Sequence, residues 1–565
     1  MQRDIYHHAV HKRSLLMDIK VCELLVQYIE RLGAEYVFGI PGAHILPVYD
    51  ALYNSPIKSV LAKHEQGAAF MAGGYAQASG KTGVCIATAG PGATNLVTGL
   101  ANAYMDSLPV LALTGETPTY SFGKGALQES SGEGSCINQH DLFRGITKYN
   151  SLVQRTDYLL TVLRKTTGIL LSKNPGPVLL SFPYNILKET VDSSLLDHIN
   201  FHPGHPLSCT LMPSDNIVSL VNNSVYPVVI AGYGAVAADA EEAISEFCVH
   251  ANIPVATTLK ARGILPETSA LSLGVLGITS NELAFKYITE KADLLIIAGA
   301  SFGERTSYNW KNELLQGKKI IQIDNKEEHL NKVFTADIAL NADVKKVFSR
   351  LGTKAGTLMV NPKDPKEVLH YKSKYLNQDT RDNEFLLVSH FLNMLNNHFN
   401  GDVAVFDDNI IYMQRFCPVL KSRSYFPNSG ISSLGHAVPA AIGAKLATEK
   451  PVIALLGDGG FQMCCMEIMT AVNHNIPLTI ILLNNASLGL VRKNQFYNYA
   501  GRFISSEFIN PDYRKLAGSF NIAYFRVASP ADAEGIFKTA DFRNKINLVE
   551  LILDKDEFPK YSSGR

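Results

Sequence analysis

The sequence predicts an α/β protein of three doubly wound parallel-sheet domains, and three observations carry that prediction. Short apolar runs alternate with helical patterns from end to end, the signature of parallel sheets covered by helices. The 565 residues exceed what one hydrophobic core organises, at roughly 100 to 200 residues per domain. Two polar stretches, 197–208 and 359–375, interrupt the alternation and read as linkers. The expected limits are a disordered tail over 1–14, domains over 15–190, 205–355 and 376–554, and a C-terminal tail over 555–565.

Each block shows its strands in order. The first has "YVFGI", "TGVCIATA", "PVLALTG" and "GPVLLSF"; the second "YPVVIAGYG", "IPVATT", "ADLLIIAGA" and "KIIQID". The third has "DVAVFDD", "PVIALLGDGG", "PLTIILLNN" and "NLVELIL", and it looks architecturally like the first. With 46% hydrophobic residues and a formal net charge of +0, the chain is read as soluble, with no nucleic-acid surface and no acidic tail. Eight cysteines lack a metal spacing and are expected as reduced thiols in the cytoplasm. No run approaches the 18 or so apolar residues that span a bilayer, so no membrane partner is expected.

The chemistry concentrates in "LLGDGGFQMCCMEIMTAVNHNIPLTIILLNNASLGL". A buried strand ends on an aspartate between glycines, and the next strand ends on two asparagines. Asp458 and Asn485 would stand at the carboxyl ends of two strands joined by a helical crossover, where open α/β sheets bind ligands. A carboxylate, an amide oxygen and a nearby main-chain carbonyl are hard oxygen ligands, suited to Mg²⁺ with phosphate and water completing the shell. Taken alone, Gly457-Asp458-Gly459 also reads as an ordinary turn in a βαβ unit.

Together with "VFGIPGAHILPVYDAL", "AKHEQGAAFMAGGYAQASGK" and "TAGPGATNLVTGLANAYMDSLPVLALTGE", this motif makes the chain resemble the thiamine diphosphate enzymes of the acetolactate synthase type, from about Ile19 to Leu553. The resemblance implies the three-domain fold of that family and assigns residues one by one. Asp458, Asn485 and the Ser487 carbonyl would hold Mg²⁺. Pro41, Gly42, Glu65 and Asn95 would serve the cofactor in the first block. Asn409, Ser432, Leu434, Gly457, Asp458, Gly459, Gly460, Asn485, Leu488 and Gly489 would serve it in the third. Glu65 would bond the aminopyrimidine ring and exchange a proton with it; by itself it reads as a solvated residue at a helix start. Leu434 would prop the cofactor in its bent form; by itself it reads as core. The family also implies a homodimer at minimum, with a homotetramer expected, because pyrimidine and diphosphate are gripped by different subunits.

The resemblance points to a carboligase that decarboxylates pyruvate or a related 2-oxoacid and joins the acyl unit to a second carbonyl compound. Gln128 resembles the glutamine that approaches substrate, with Gln139 in reserve, and Phe70 would line the same pocket. Two departures bear on specificity: Tyr184 and Asn185 stand where biosynthetic acetolactate synthases carry lysine, and their tryptophan after the asparagine pair is absent. "PGAHILP" and "PYNIL" look like benzaldehyde lyase, which makes His44 a proton relay in an alternative reading as an acyloin lyase or 2-oxoacid decarboxylase. His44 also reads as a helix-start residue with a local hydrogen bond. Where relatives carry a Gly, Gln and His loop, this chain has "FDDNIIYMQ", so Asp407 and Asp408 are expected to cap a helix beside the phosphate. "AGYGAV" and "GASFGERTS" resemble the flavin-binding segment, with Arg305 matching its arginine, which leaves FAD open. A catalytically silent assembly subunit is the non-enzyme alternative, against which the intact Glu65, Asp458 and Asn485 speak.

Overall fold

The computed structural model describes residues 18–202, 215–353, 365–378 and 385–558. The chain divides into two compact units, 1–204 and 205–565. The first sequence block makes the first unit; the second and third make the other, each with its own six-stranded parallel sheet.

In the first unit the sheet runs Lys58–Leu61, Tyr36–Gly39, Gly83–Ala87, Val110–Glu116, Val178–Pro183 and Tyr149–Leu152. Every pairing is parallel. Numbered along the chain, the spatial order is 2-1-3-4-6-5. Gly83–Ala87 and Val110–Glu116 are buried throughout, as strands covered on both faces must be, which is why the first, and the second as far as Leu113, read as unbroken apolar runs. One short antiparallel pair, Asp18–Lys20 with Thr190–Asp192, ties the ends of the unit together.

The third block repeats that order. Tyr425–Pro427, Ala404–Asp407, Val452–Gly457, Thr479–Asn484, Asn547–Ile552 and Ala523–Val527 again give 2-1-3-4-6-5, all parallel. The middle sheet differs: Ser272–Val275, Val255–Thr257, Pro227–Ala231, Leu294–Ala298, Lys319–Asp324 and Ile338–Asn341 give 3-2-1-4-5-6, the order of dinucleotide-binding sheets.

Of the predicted linker over 359–375, residues 359–364 lie outside the described residues and 365–375 lie in the helix Pro365–Gln378, opened by a proline at the position where the missing N–H costs nothing. That helix docks on the middle block through Tyr371 to Glu290 (2.8 Å) and Tyr375 to the Asn281 carbonyl (3.0 Å). The expected N-terminal tail lies outside the described residues. The C-terminal stretch is anchored as far as it is described: Arg492 donates to the Lys555 carbonyl (3.2 Å) and to Asp556. Among the described residues no helix is long and apolar enough to cross a membrane.

Candidate functional site

Each sheet has one place where the strand order reverses, and ligands enter open α/β sheets there. In the first unit it lies between Tyr36–Gly39 and Gly83–Ala87, whose carboxyl ends lead into Pro41-Gly42 and Gly90-Pro91. In the third block it lies between Ala404–Asp407 and Val452–Gly457, leading into Asp408-Asn409 and Asp458. The sequence-predicted residues therefore gather at two equivalent places on two like sheets.

Around the first of these, Glu65 opens the helix Glu65–Ser79 and is 8% exposed. A carboxylate suits the positive end of a helix, but this one is turned inward: Asn95 Nδ2 donates to its Oε2 at 2.9 Å. The solvated alternative is thus not what the fold builds. The small residues Gly67, Ala68, Ala69, Ala72, Gly73 and Gly74 are buried and bring the helix close to its neighbours. The loops of Gly42 and Thr88 approach so closely that a Cβ on Gly42 would lie 2.5 Å from Thr88 Cβ.

Gln128 has a left-handed backbone (φ 58°) and backs onto Gly90, where an added Cβ would lie 3.1 Å from its own. The next residue holds that loop in shape. Glu129 accepts from Gly123 N (2.6 Å) and Ser131 Oγ (2.8 Å) on one oxygen, and from Gly125 N and Ala126 N (3.0 Å each) on the other. Burial opposes the charge of Glu129, but the Ser131, Gly123 and Ala126 bonds prevail and hold its carboxyl at about 2. Gln139 is not free to serve a substrate. Its amide donates to Thr114 (2.9 Å) and Ser181 (2.7 Å) and accepts from Ser130 (3.0 Å) inside the unit. Phe70 is 2% exposed, and Tyr184 carries the Lys188 ammonium 4.2 Å above its ring. His44 lies in the turn before the helix Leu46–Leu52, buried, with its Nδ1 lacking a hydrogen bond among the described residues. The local bond expected of a structural histidine is not made by that nitrogen.

In the third block Asp458 is 1% exposed at the first position of the helix Asp458–Cys464. Its Oδ1 accepts from Gly459 N (2.9 Å); its Oδ2 accepts from Asn485 N (3.1 Å), Ala486 N (2.6 Å) and Asn510 Nδ2 (2.8 Å). Burial raises its pKa against the pull of these donors. The two strand ends are therefore laced together through the one carboxylate the motif singles out. Asn485 Oδ1 accepts from Ser487 N at 3.2 Å, and the buried Ser487 hydroxyl has no hydrogen-bond partner among the described residues. Sequence reasoning missed Asn510, which bridges Asp458 and Asn484 Oδ1 (2.7 Å), and Glu550, which accepts from Asn484 Nδ2 (2.5 Å). No local motif announces either.

Asp407 and Asp408 are buried, and burial pushes both carboxyls up. Asp408 does cap a helix, though not the one that follows it: it accepts from Gly435 N (2.7 Å), His436 N (3.1 Å) and Ala437 N (2.8 Å) at the start of Ala437–Lys445. This pins the loop carrying Ser432 (φ 60°) and Leu434, which Asn428 also grips through the Ser433 carbonyl. Leu434 is 39% exposed on this braced loop, so it is not ordinary core. Its Cβ and Asp408 Oδ2 would lie 3.8 and 3.0 Å from a Cβ on Gly460.

At the middle switch point Gly232 N donates to the Ala298 carbonyl (2.8 Å) and Gly234 N to the Gly299 carbonyl (2.9 Å), closing the two glycine turns on each other. Arg305, matched to the flavin-binding arginine, donates through Nη1 to Asn409 Oδ1 at 2.8 Å.

Comparison with known proteins bears on this geometry. Models of the thiamine pyrophosphate enzyme match all three blocks: the N-terminal TPP binding domain over 19–135, the central domain over 214–351 and the C-terminal TPP binding domain over 408–551. The chain belongs to the thiamine pyrophosphate enzymes. Its relatives include the probable acetolactate synthase large subunit of Methanocaldococcus jannaschii, 33% identical over 95% of this chain and 93% of that protein. The acetolactate synthase large subunits of Corynebacterium glutamicum and Lactococcus lactis are each 32% identical, over 96% and 95% of this chain and 88% and 92% of theirs. The chain is an acetolactate synthase-like, thiamine diphosphate-dependent enzyme.

The residues present fit that cofactor. Just before the helix Asp458–Cys464, a Cβ on Gly457 would meet nothing within 4 Å among the described residues, which leaves open a helix start of the kind that receives phosphate oxygens, and Leu434 is exposed and braced. For a cation, no group of three or more His, Cys, Asp or Glu comes together among the described residues. The donors that would serve one are the mixed set of Asp458, Asn485 and a main-chain carbonyl, whose hard oxygens suit an ion that shares its shell with phosphate.

Proposed function

We propose that the chain is a Mg²⁺-dependent carboligase that decarboxylates pyruvate or a related 2-oxoacid and joins the acyl unit to a second carbonyl compound. Bound thiamine diphosphate supplies a carbanion that attacks the substrate carbonyl and an electron sink that stores the charge released with CO₂. The chain's own residues do the rest. Glu65, buried and oriented by Asn95, exchanges a proton with the aminopyrimidine. Asp458, Asn485 and the Ser487 carbonyl hold the metal, and the N–H groups at the start of Asp458–Cys464 receive phosphate oxygens. Leu434, on the loop that Asp408 pins, orients the thiazolium. Gln128 meets the substrate. As in the resemblance, a homodimer is the minimum assembly, acting in the cytoplasm on small-molecule substrates.

The observation that carries this reading is the buried Glu65–Asn95 pair, a carboxylate that a silent assembly subunit has no reason to keep turned inward. A panel of 2-oxoacids with thiamine diphosphate and Mg²⁺, with CO₂ and carboligation products followed separately by mass spectrometry, tests it. Pyruvate or a close analogue yielding CO₂ and an acyloin-type product supports the reading; no CO₂ from any 2-oxoacid sinks it. A second reading, cleavage or formation of acyloins with His44 as proton relay, is favoured by its buried, unbonded Nδ1. Cleavage of acyloins without need of a 2-oxoacid would select it.

A further inference from the structure

We infer that Arg305 is a positioning residue for the diphosphate loop, through which the middle sheet holds Asn409 in place, rather than a contact for a flavin. The inference rests on the reading above, in which the turn after Ala404–Asp407 faces the diphosphate. Asn409 has φ 68°, a left-handed backbone that asparagine adopts more readily than other residues with a side chain. What is imposed from outside is the position of its side chain: Arg305 Nη1 donates to Oδ1 at 2.8 Å. The arginine is fixed in turn, since its carbonyl accepts from Ile278 N at 3.1 Å.

The bond is one of a series. Thr279 Oγ1 meets Gln414 Oε1 at 2.5 Å. Arg262, held by Glu267 through two 2.7 Å bonds, donates to the Met413 carbonyl (3.2 Å) and the Cys417 carbonyl (2.6 Å). All of these come from the middle block and land on 409–417, the loop and helix that follow the first strand of the third sheet. Next to Asn409, Asp408 braces Gly435 and abuts Gly460, so a shift at Asn409 is passed to the Leu434 loop and to the glycine turn. One of the five N–H donors of Arg305 is committed to Asn409, which holds the guanidinium against the third block. The middle domain thus serves the cofactor site as a buttress.

Calorimetric titration of thiamine diphosphate with Mg²⁺ into the cofactor-stripped full-length enzyme tests this, using wild type, Arg305→Met, Arg305→Lys, Asn409→Gly, the Arg305→Met/Asn409→Gly pair and Asp458→Ala. Glycine is chosen at 409 because it keeps the left-handed turn while removing the side chain. Arg305→Met should weaken binding about tenfold, the scale of one hydrogen bond to a charged group, with the fold of the stripped protein retained by circular dichroism and its melting temperature lowered no further than in Asn409→Gly, which cuts the same bond. Arg305→Lys should recover most of the loss. The pair should bind no worse than Arg305→Met, because both changes cut the same bond. Unchanged affinity in Arg305→Met alongside weakened binding in Asp458→Ala overturns the inference and leaves the site reading standing; additive losses in the pair also overturn it. Unchanged affinity in Asp458→Ala brings down the site reading and the inference with it. FAD that binds wild type and is lost in Arg305→Met, with thiamine diphosphate affinity intact, makes Arg305 a flavin contact.

Discussion

The first and third sheets share one strand order and one switch point, yet the loops that leave them carry different chemistry. On the first sheet the residue offered is a lone carboxylate, Glu65, with a single side-chain donor, Asn95. On the third, Asp458 accepts four hydrogen bonds, three from backbone, and Asp408 accepts three, all from backbone. A carboxylate with one side-chain partner keeps lone pairs open to a ligand; one laced into backbone donors is held in position. Like scaffolds thus divide an openly held carboxylate, after the second strand of the first sheet, from tightly held ones, after the first and third strands of the other. The middle sheet, with the order 3-2-1-4-5-6, closes its switch point on itself.

The largest effect that sharpens this division is at Glu65. Glu65→Gln keeps the shape and the Asn95 contact but cannot exchange a proton, so steady-state turnover should fall about 10²- to 10⁴-fold, with the fold retained by circular dichroism. A turnover near wild type breaks the comparison. Asp408→Ala should act on stability. It strands the N–H groups of Gly435, His436 and Ala437, at about 1 to 3 kcal/mol for each that stays buried, and denaturant unfolding should show a lower midpoint. A midpoint equal to wild type would mean the Leu434 loop is held by something else.

Smaller, and specific to the first sheet, are the substitutions at Gln128 and His44. Gln128→Ala should raise KM for the 2-oxoacid more than it lowers CO₂ release at saturation, whereas His44→Ala should depress carboligation more than decarboxylation if the lyase reading holds. Following the two products separately in both variants shows which residue meets substrate. Smallest is a pH effect at Glu129. Its folded carboxyl sits at about 2, below an ordinary 4.5, so its bonds stabilise the folded state above pH 4.5, and that stability is lost as pH falls toward 2. The thermal midpoint of wild type should exceed that of Glu129→Gln at pH 6, and the gap should narrow between pH 4.5 and 3. A constant gap would remove the charge from the account.

Much of this could be read from the chain before folding. Gly83–Ala87 and Thr479–Asn484 are unbroken apolar runs because both faces of a parallel strand are covered, and their ends are marked by glycine or asparagine. The places of Asp458 and Asn485 at strand ends, and of Glu65 at a helix start, were legible because local motifs surround them. The helix capped by Asp408 was not: its donors lie 27 to 29 residues away and meet it only because the third sheet places those loops together. Asn510 and Glu550 were hidden for the same reason, since pairing between remote loops depends on strand order, which periodicity does not encode. Arg305 is matched by resemblance to the flavin-binding arginine, with FAD left open, and only the fold shows Asn409 as its partner.

The division between the two sheets is tested most directly by titrating thiamine diphosphate with Mg²⁺ into the stripped Glu65→Gln and Asp458→Ala variants side by side. The account predicts that Glu65→Gln binds within a few-fold of wild type while Asp458→Ala, which loses a metal ligand and the carboxylate that laces two strand ends, binds at least about tenfold more weakly. Equal losses in both, or a larger loss in Glu65→Gln, would contradict it.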